Sequence, residues 1–374
     1  MSDFLQWLSD AADARERAGL VRRLRSVKSG ELLDLAGNDY LGLREHPAVI
    51  AGAVAAAETY GAGAGASRLV TGTLDIHEEL ESALSQFTGA PTALVFSTGY
   101  HANLSALAGL ADAGTLVISD AHAHASLIDG CRLSRAAVAV NRHNDLDHVE
   151  RLLAQRESPR ALVVAESIYS VLGDAAPVAD LVALTAEYGA VLVLDEAHAI
   201  GVAGERGEGL LAATGCAGAD HVVMTTTLSK SLAAQGGAVL AHPRVREHLV
   251  NTARPFIYDT GLAPASAGAA LAALGVLREQ PCLVGRVRAN AALLAEATGQ
   301  APPAGAVLSV PMPTPHQAVD AVELAGAHGI RIGCFRPPST PDGISRLRMS
   351  AHADHSGEDV VRACEVLRKV ASVA

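Results

Sequence analysis

The chain has 374 residues, of which 49% are hydrophobic, 18% charged and 3% aromatic, a balance that excludes disorder and leaves a core of Ala, Val and Leu. Its formal charge of −11 argues against nucleic acid as a partner. Five cysteines (Cys131, Cys216, Cys282, Cys334, Cys364) form no CxxC pair, which disfavours a zinc site or a disulfide scaffold and points to a reducing compartment, the cytoplasm by default.

Met1–Trp7 includes Asp3 and Gln6 and lacks a long apolar core, so no signal peptide is expected, and no uncharged apolar run suits a membrane span. Residues 3–25 read as a helix with a basic stretch of Arg15, Arg17, Arg22, Arg23 and Arg25, for the most part a solvated face. Asn38-Asp39-Tyr40-Leu41-Gly42 reads as a tight turn. The glycine-rich loop 60–68 is not a GxGxxG following a strand, so a dinucleotide fingerprint is unsupported.

From about 90 to 240, apolar runs alternate with helical segments. The runs are 92–96, 115–118, 136–140, 161–165, 190–194, 221–224 and 237–240. They look too apolar for half-exposed strands, which predicts a mostly parallel seven-stranded sheet, buried on both faces between helices. After about 263 come an Ala-rich helical stretch, apolar runs at 306–310 and 330–332, helical patterns near 316–327 and 357–372, and the segment Ser345–Ser350. These predict a small C-terminal α+β domain.

In open α/β sheets the ligand sits at the carboxyl ends of the strands. The run 190–194 ends in Asp195-Glu196-Ala197-His198. An acid there is costly unless it meets a cation, and a protonated pyridine nitrogen would serve. The same four letters mark helicase-type ATPases, but those need a GxxxxGK[ST] loop, and the sequence has none. The next run leads to Thr227-Leu228-Ser229-Lys230, a lysine among hydroxyls suited to forming a Schiff base. Thr227 and Ser229 can bind cofactor oxygens.

Ser97-Thr98-Gly99-Tyr100 follows 92–96 and opens a helix, where backbone N–H groups can hold a phosphate. His124, after the run 115–118, can stack on a flat ring. His122 and His124 lack a third ligand nearby, so no metal is expected. Arg346 and Arg348 share a strand face, and a planar guanidinium suits a substrate carboxylate.

Together these segments resemble the α-oxoamine synthases, a family of fold-type-I pyridoxal-phosphate (PLP) transferases, over nearly the whole chain. The likeness extends through Asn38–Gly42, Gly65–Gly72, Ser97–Tyr100, His124–Leu127, Asp195–His198, Thr227–Lys230, Phe335–Pro338 and Ser345–Arg348. The Arg336-Pro337-Pro338 and Ser345–Arg348 segments lean toward the branch that condenses L-alanine with a pimeloyl thioester.

The resemblance implies an N-terminal helical arm (1–42), a large PLP-binding domain (43–270) and a small C-terminal domain (271–374). It implies that Lys230 carries PLP, Asp195 meets the ring nitrogen, His198 the phenolic oxygen, and that His124 stacks on the ring. Gly99, Tyr100 and Thr227 would hold the phosphate, and Ser170 would lie near the cofactor. Thr260 would reach the phosphate of a neighbouring subunit in a homodimer with shared active sites. Asn38 and Arg348 would bind the amino-acid carboxylate, and Arg22 the acyl substrate, carried on coenzyme A or on acyl-carrier protein.

Three departures from the family stand out. Leu172 stands where an acid is usual, Ala199-Ile200 replaces a small glycine-containing pair, and His352 takes the place of a hydroxyl that touches substrate. Two other readings of the residues exist: a synthase using glycine or serine with another acyl-CoA, and a non-catalytic PLP-binding subunit, which the presence of Lys230 disfavours.

Overall fold

The computed structural model describes residues 3–24, 26 and 30–371. In chain order the strands are β1 (Leu33–Asp34), β2 (Thr92–Phe96), β3 (Thr115–Asp120), β4 (Ala137–Asn141), β5 (Arg160–Glu166), β6 (Val191–Asp195), β7 (Val222–Thr227), β8 (Gly237–Ala241), β9 (Val307–Met312), β10 (Ile330–Arg331), β11 (Gly333–Phe335) and β12 (Ser345–Ser350).

Seven of these form one sheet in the order β2-β8-β7-β6-β5-β3-β4. Every pairing is parallel except those of β8, which runs against both β2 and β7. The predicted mostly parallel seven-stranded sheet is therefore the observed one. Its central strands are apolar on both faces because both faces are covered. Side chains alternate across the sheet: Leu192 and Leu194 enter one core with Val163, Ile118 and Met224, and Val193 enters the other with Val164, Val117 and Val223.

The edge strand β4 corrects the expectation that all seven runs are doubly buried. Val138 is 45% and Val140 60% exposed. Apolar composition gives a strand its extended backbone, but its place at the rim is decided by the connections around it.

The N-terminal helix also differs from the expectation. It spans Asp3–Arg17 and stops well before residue 25, with Gly19 in a left-handed conformation at φ 65° just beyond it. Arg22 and Arg23 lie on irregular chain after that stop, and Arg25 lies outside the described residues.

The C-terminal part carries a three-stranded antiparallel sheet, β11-β12-β9. Helices Cys282–Ala297, Pro315–Ala327 and Gly357–Ala371 complete it. The two-residue β1 pairs with β10, so the chain just before Asn38 is held to the C-terminal part. The expected turn at 38–42 follows. Asp39 accepts from the backbone N–H of Leu43 and Arg44 through its two oxygens, both at 3.0 Å. Gly42 closes the turn at φ 68°, where any Cβ would run into the Asp354 side chain at 2.2 Å. The glycine-rich loop ends in Arg68, whose guanidinium is buried against Glu81 at 3.0 Å. Glu81 also binds Arg246 and the N–H of Val95, so this arginine ties structure together.

Candidate active site

The carboxyl ends of β5, β6 and β7, with the chain that follows β2 and β3, surround a cavity of about 280 Å³. Gly99, Tyr100, His124, Asp195, His198, Thr227 and Lys230 all line it, together with Asn103, Ser126, Glu166 and Thr226.

Asp195 ends β6 and is 5% exposed. Its Oδ2 accepts from Asn103 Nδ2 at 2.8 Å and its Oδ1 from the N–H of Ala197 at 2.9 Å. Both oxygens therefore accept from neutral donors, which is how a buried carboxylate is kept charged without a salt bridge. Glu196, next in sequence, turns away. Its Oε1 accepts from the N–H of Leu211 and takes no part in the cavity. His198 is buried, and desolvation first, then the charge on Lys230, push its pKa well below the ordinary value. It is a neutral imidazole at pH 7.

Lys230 lies three residues past β7. Its Nζ is 2.8 Å from His198 Nε2. Desolvation pushes the ammonium down to about 8, against the opposing pull of Asp195 and Glu166. A lysine so placed has a substantial free-amine fraction at neutral pH, as a Schiff-base nucleophile needs. With Nε2 accepting from the lysine, His198 Nδ1 carries the proton and faces Tyr40 Oη at 2.7 Å. The Tyr40 hydroxyl in turn donates to Asn38 Oδ1 at 3.1 Å. That oxygen also accepts from Arg348 Nη2 at 3.1 Å, and Arg348 Nε donates to the carbonyl of Ser170 at 2.8 Å. One chain of hydrogen bonds thus runs from Lys230 to the Asn38–Arg348 pair.

His124 is exposed at the mouth of the cavity, with Nδ1 fixed by Ser126 Oγ at 2.7 Å. Asn103 Nδ2 reaches both Ser126 Oγ and Asp195 Oδ2, each at 2.8 Å, and so links the expected ring-stacking residue to the expected ring-nitrogen partner. The helix Gly99–Leu110 begins beside Thr227, with Thr98 capping it through the N–H of His101. Gly237 makes this approach possible, because a Cβ there would sit 2.5 Å from the Gly99 backbone.

The remaining expected residues spread further. Asn38, Ser170 and Arg348 adjoin the cavity through the hydrogen bonds above. His352 is buried, 3.3 Å from the Gly37 carbonyl, and its ring stacks on His355 at 4.7 Å. Arg22 lies elsewhere, in a groove of about 740 Å³ between residues 16–24 and the C-terminal part, where its Nη2 donates to Ser339 Oγ at 3.0 Å. Thr260 is exposed and is not among the cavity-lining residues. Arg346, expected to share a role with Arg348, pairs instead with Asp342. Ala199 and Ile200 pack into the core and away from the cavity. Sequence reasoning missed Tyr40, Asn103 and Glu166 as members of the site.

The cavity fits a PLP-sized group. It pairs a buried carboxylate with a low-pKa lysine, and it has an open helix N-terminus for a phosphate. Its walls also carry buried polar atoms that lack protein partners, among them Thr226 Oγ1, Asn103 Oδ1 and Glu166 Oε1. Such atoms call for a polar occupant.

The comparisons agree with the geometry. The Aminotransferase class I and II family matches residues 30–367. A variant serine palmitoyltransferase from S. paucimobilis with bound PLP-myriocin aldimine superposes with a TM-score of 0.91, at 31% identity over 98% of each chain. The chain belongs to the class I and II aminotransferase family, and its fold and site define it as a fold-type-I PLP enzyme. The 8-amino-7-oxononanoate synthase of Mycolicibacterium gilvum is 52% identical over 372 residues, covering 99% of this chain and 98% of that one. The 8-amino-7-oxononanoate synthase of Francisella tularensis shares the fold, with a TM-score of 0.77 at 24% identity over 90% of this chain and 97% of that one. Within its family the chain's place is among the 8-amino-7-oxononanoate synthases.

Proposed function

We propose that the chain condenses L-alanine with a pimeloyl thioester, of coenzyme A or of acyl-carrier protein, releasing carbon dioxide and the free thiol and forming 8-amino-7-oxononanoate for biotin synthesis. The observation that carries this reading is the 52% identity, along almost the full length, to a curated 8-amino-7-oxononanoate synthase, with Lys230 present in the cavity. A lysine in place argues against a non-catalytic PLP-binding subunit.

PLP, held at Lys230, supplies the electron sink that lets an amino-acid Cα bear negative charge. Asp195 holds a positive charge at the ring nitrogen, and the Asn103 amide keeps that carboxylate oriented. Gly99 and Tyr100 at the helix N-terminus, with Thr227 and Ser229, bind the phosphate. His124 would cover one face of the ring, and His198 would meet the phenolic oxygen through Nε2, the atom that faces Lys230 while the site is free of cofactor.

Arg348 and Asn38 bind the alanine carboxylate, with Ser170 fixing the arginine through its carbonyl. That grip would aim the Cα–H bond at Lys230, whose Nζ, free once the substrate amine has taken its place on the cofactor, would accept the proton as general base. Before the cofactor is in place, the neutral His198 ring accepts from Lys230 and holds the amine in position. Arg22 in the groove receives the acyl substrate, and His352 borders the Gly37–Asn38 carboxylate site.

Two further assignments belong to the same reading. The chain works as a homodimer with shared sites. Thr260 is turned out of its own cavity, and Leu69, Val70 and Tyr258 expose large apolar surface on packed neighbouring segments. Its place is the cytoplasm, in keeping with five free cysteines; no helix among the described residues is long and apolar enough to cross a membrane.

Mass spectrometry of the product tests the reading. Purified protein with PLP, pimeloyl-CoA and equal L-alanine, glycine and L-serine is expected to yield 8-amino-7-oxononanoate from alanine alone. An amino ketone built on glycine or serine overturns the alanine branch.

A further inference from the structure

Two acids line the cavity, and they end neighbouring strands. Glu166 closes β5 and Asp195 closes β6, and the two are partners in the parallel register. Both are buried, Glu166 at 2% and Asp195 at 5% exposure. Two adjacent carboxylates in a dry site do not both stay ionised, and their surroundings decide which one keeps the proton.

Those surroundings differ. Each Asp195 oxygen accepts a hydrogen bond, as an anion requires. Glu166 Oε2 accepts from the N–H of Ser170 at 3.1 Å, while Oε1 has no protein partner. Glu166 thus accepts one close hydrogen bond where Asp195 accepts two, with the His124 backbone N–H also facing it, so a negative charge is less well held at Glu166 than at Asp195. The charged and titratable groups facing Glu166 from the packed elements are Asp195, Lys230, Tyr40, Tyr169 and His124, the last through its backbone N–H. Desolvation, then Asp195, push the Glu166 carboxyl up to about 8, with Lys230 opposing.

We propose that Glu166 is a further working residue of the site: a neutral carboxylic acid that offers its Oε1–H into the cavity while Oε2 fixes Ser170. Its neutrality leaves Asp195 as the anion of the cavity wall. The negative charge is thereby concentrated at the ring-nitrogen position and is kept away from the substrate carboxylate beside Ser170. Through Ser170, whose carbonyl holds Arg348 Nε, Glu166 also positions the guanidinium that grips that carboxylate. The proposal rests on the reading of the cavity as a PLP and amino-acid site, and its first test needs neither ligand.

Infrared difference spectra of the full-length protein at pH 7, wild type minus Glu166→Gln, with and without PLP, read the proton directly. The expected result is the C=O stretching band of a protonated carboxylic acid, lost in the variant and lost in the wild type as pH rises through about 8. No such band overturns the proposal.

The second test is turnover. Gln keeps a neutral donor and an acceptor for Ser170, so Glu166→Gln should hold kcat within roughly threefold at pH 7, whereas Glu166→Ala should lose at least about tenfold and raise the KM for alanine. A collapse of Glu166→Gln to the level of Glu166→Ala, with PLP absorbance and thermal melting unchanged, means that the ionised carboxylate is needed and also overturns the proposal. Wild-type protein that binds PLP but makes no 8-amino-7-oxononanoate would sink the substrate assignment alone, since the infrared band would still report the proton.

Discussion

The cavity at the strand ends and the groove that holds Arg22 are built on different principles. The cavity side chains leave a rigid sheet within a few residues of its last hydrogen bonds, and most are buried and tied to one another. The groove is assembled from segments far apart in the chain: Arg22 meets Ser339 across 317 residues, and Arg336 Nη2 reaches back to the Val21 carbonyl across 315. Under the proposed function, chemistry that tolerates little displacement sits on the sheet, and recognition of a long flexible acyl chain is left to irregular surface. The three departures from the family lie outside the groove: Ala199-Ile200 packs into the core, His352 is buried at the Gly37 carbonyl, and Leu172 is half-buried.

If the cavity carries the chemistry, the largest loss comes from Lys230→Ala. Removing a tether and general base together should lower kcat by on the order of 10³-fold or more, measured by single-turnover product formation. A variant that retains turnover would break the comparison at once. The wild-type lysine also makes a pH prediction. Its ammonium is depressed to about 8, so the amine is protonated below that value and nucleophilic above it. The rate of PLP incorporation into cofactor-free protein should therefore rise through pH 8 and level off beyond, as followed by absorbance. A midpoint near the ordinary lysine value would mean that the amine is not desolvated.

Asp195→Asn comes next. It preserves shape but removes the charge, and it sets one amide against another at Asn103. A kcat loss of roughly 10²- to 10³-fold is expected, with PLP still bound and its absorbance band shifted. A loss as small as that of a groove mutation would mean that Asp195 only fills space.

How much of this could be read without coordinates follows from the same division. Asp195, His198 and Lys230 were legible because each lies within a few residues of a strand end, and an apolar run ending in a polar cluster is a local pattern. Glu166 carried that signal too, since the run 161–165 ends in an acid just as 190–194 does, but strand register was needed to set it beside Asp195. Tyr40 and Asn103 were not legible. They meet their partners across 158 and 92 residues, and no local spacing encodes such a contact. The exposure of β4 was hidden for a related reason: order in a sheet is a property of the whole topology.

Arg348 stands at the boundary of the two regions and sharpens the contrast. Arg348→Lys keeps the charge but loses the fork that spans Ser170 and Asn38. An increase of about 10- to 100-fold in the KM for alanine is expected, worth roughly 1.5–3 kcal/mol, with a smaller change in kcat. Equal losses in kcat and kcat/KM would place its work in the transition state instead.

The smallest effect is expected at Arg22. Its guanidinium is solvent-accessible and held by one hydroxyl, so screening limits what its charge is worth to less than about 1 kcal/mol. Arg22→Ala should raise the KM for the pimeloyl thioester by no more than about fivefold, leave the KM for alanine unchanged, and show a weaker salt dependence than the wild type. The salt series is the decisive part. A wild-type KM that is indifferent to ionic strength would mean that Arg22 packs through its methylene stem, and the groove would then select acyl chains by shape alone. A loss far above fivefold would mean that the guanidinium meets the acyl substrate out of water when the groove is filled, and the division between buried chemistry and exposed recognition would no longer hold at this residue.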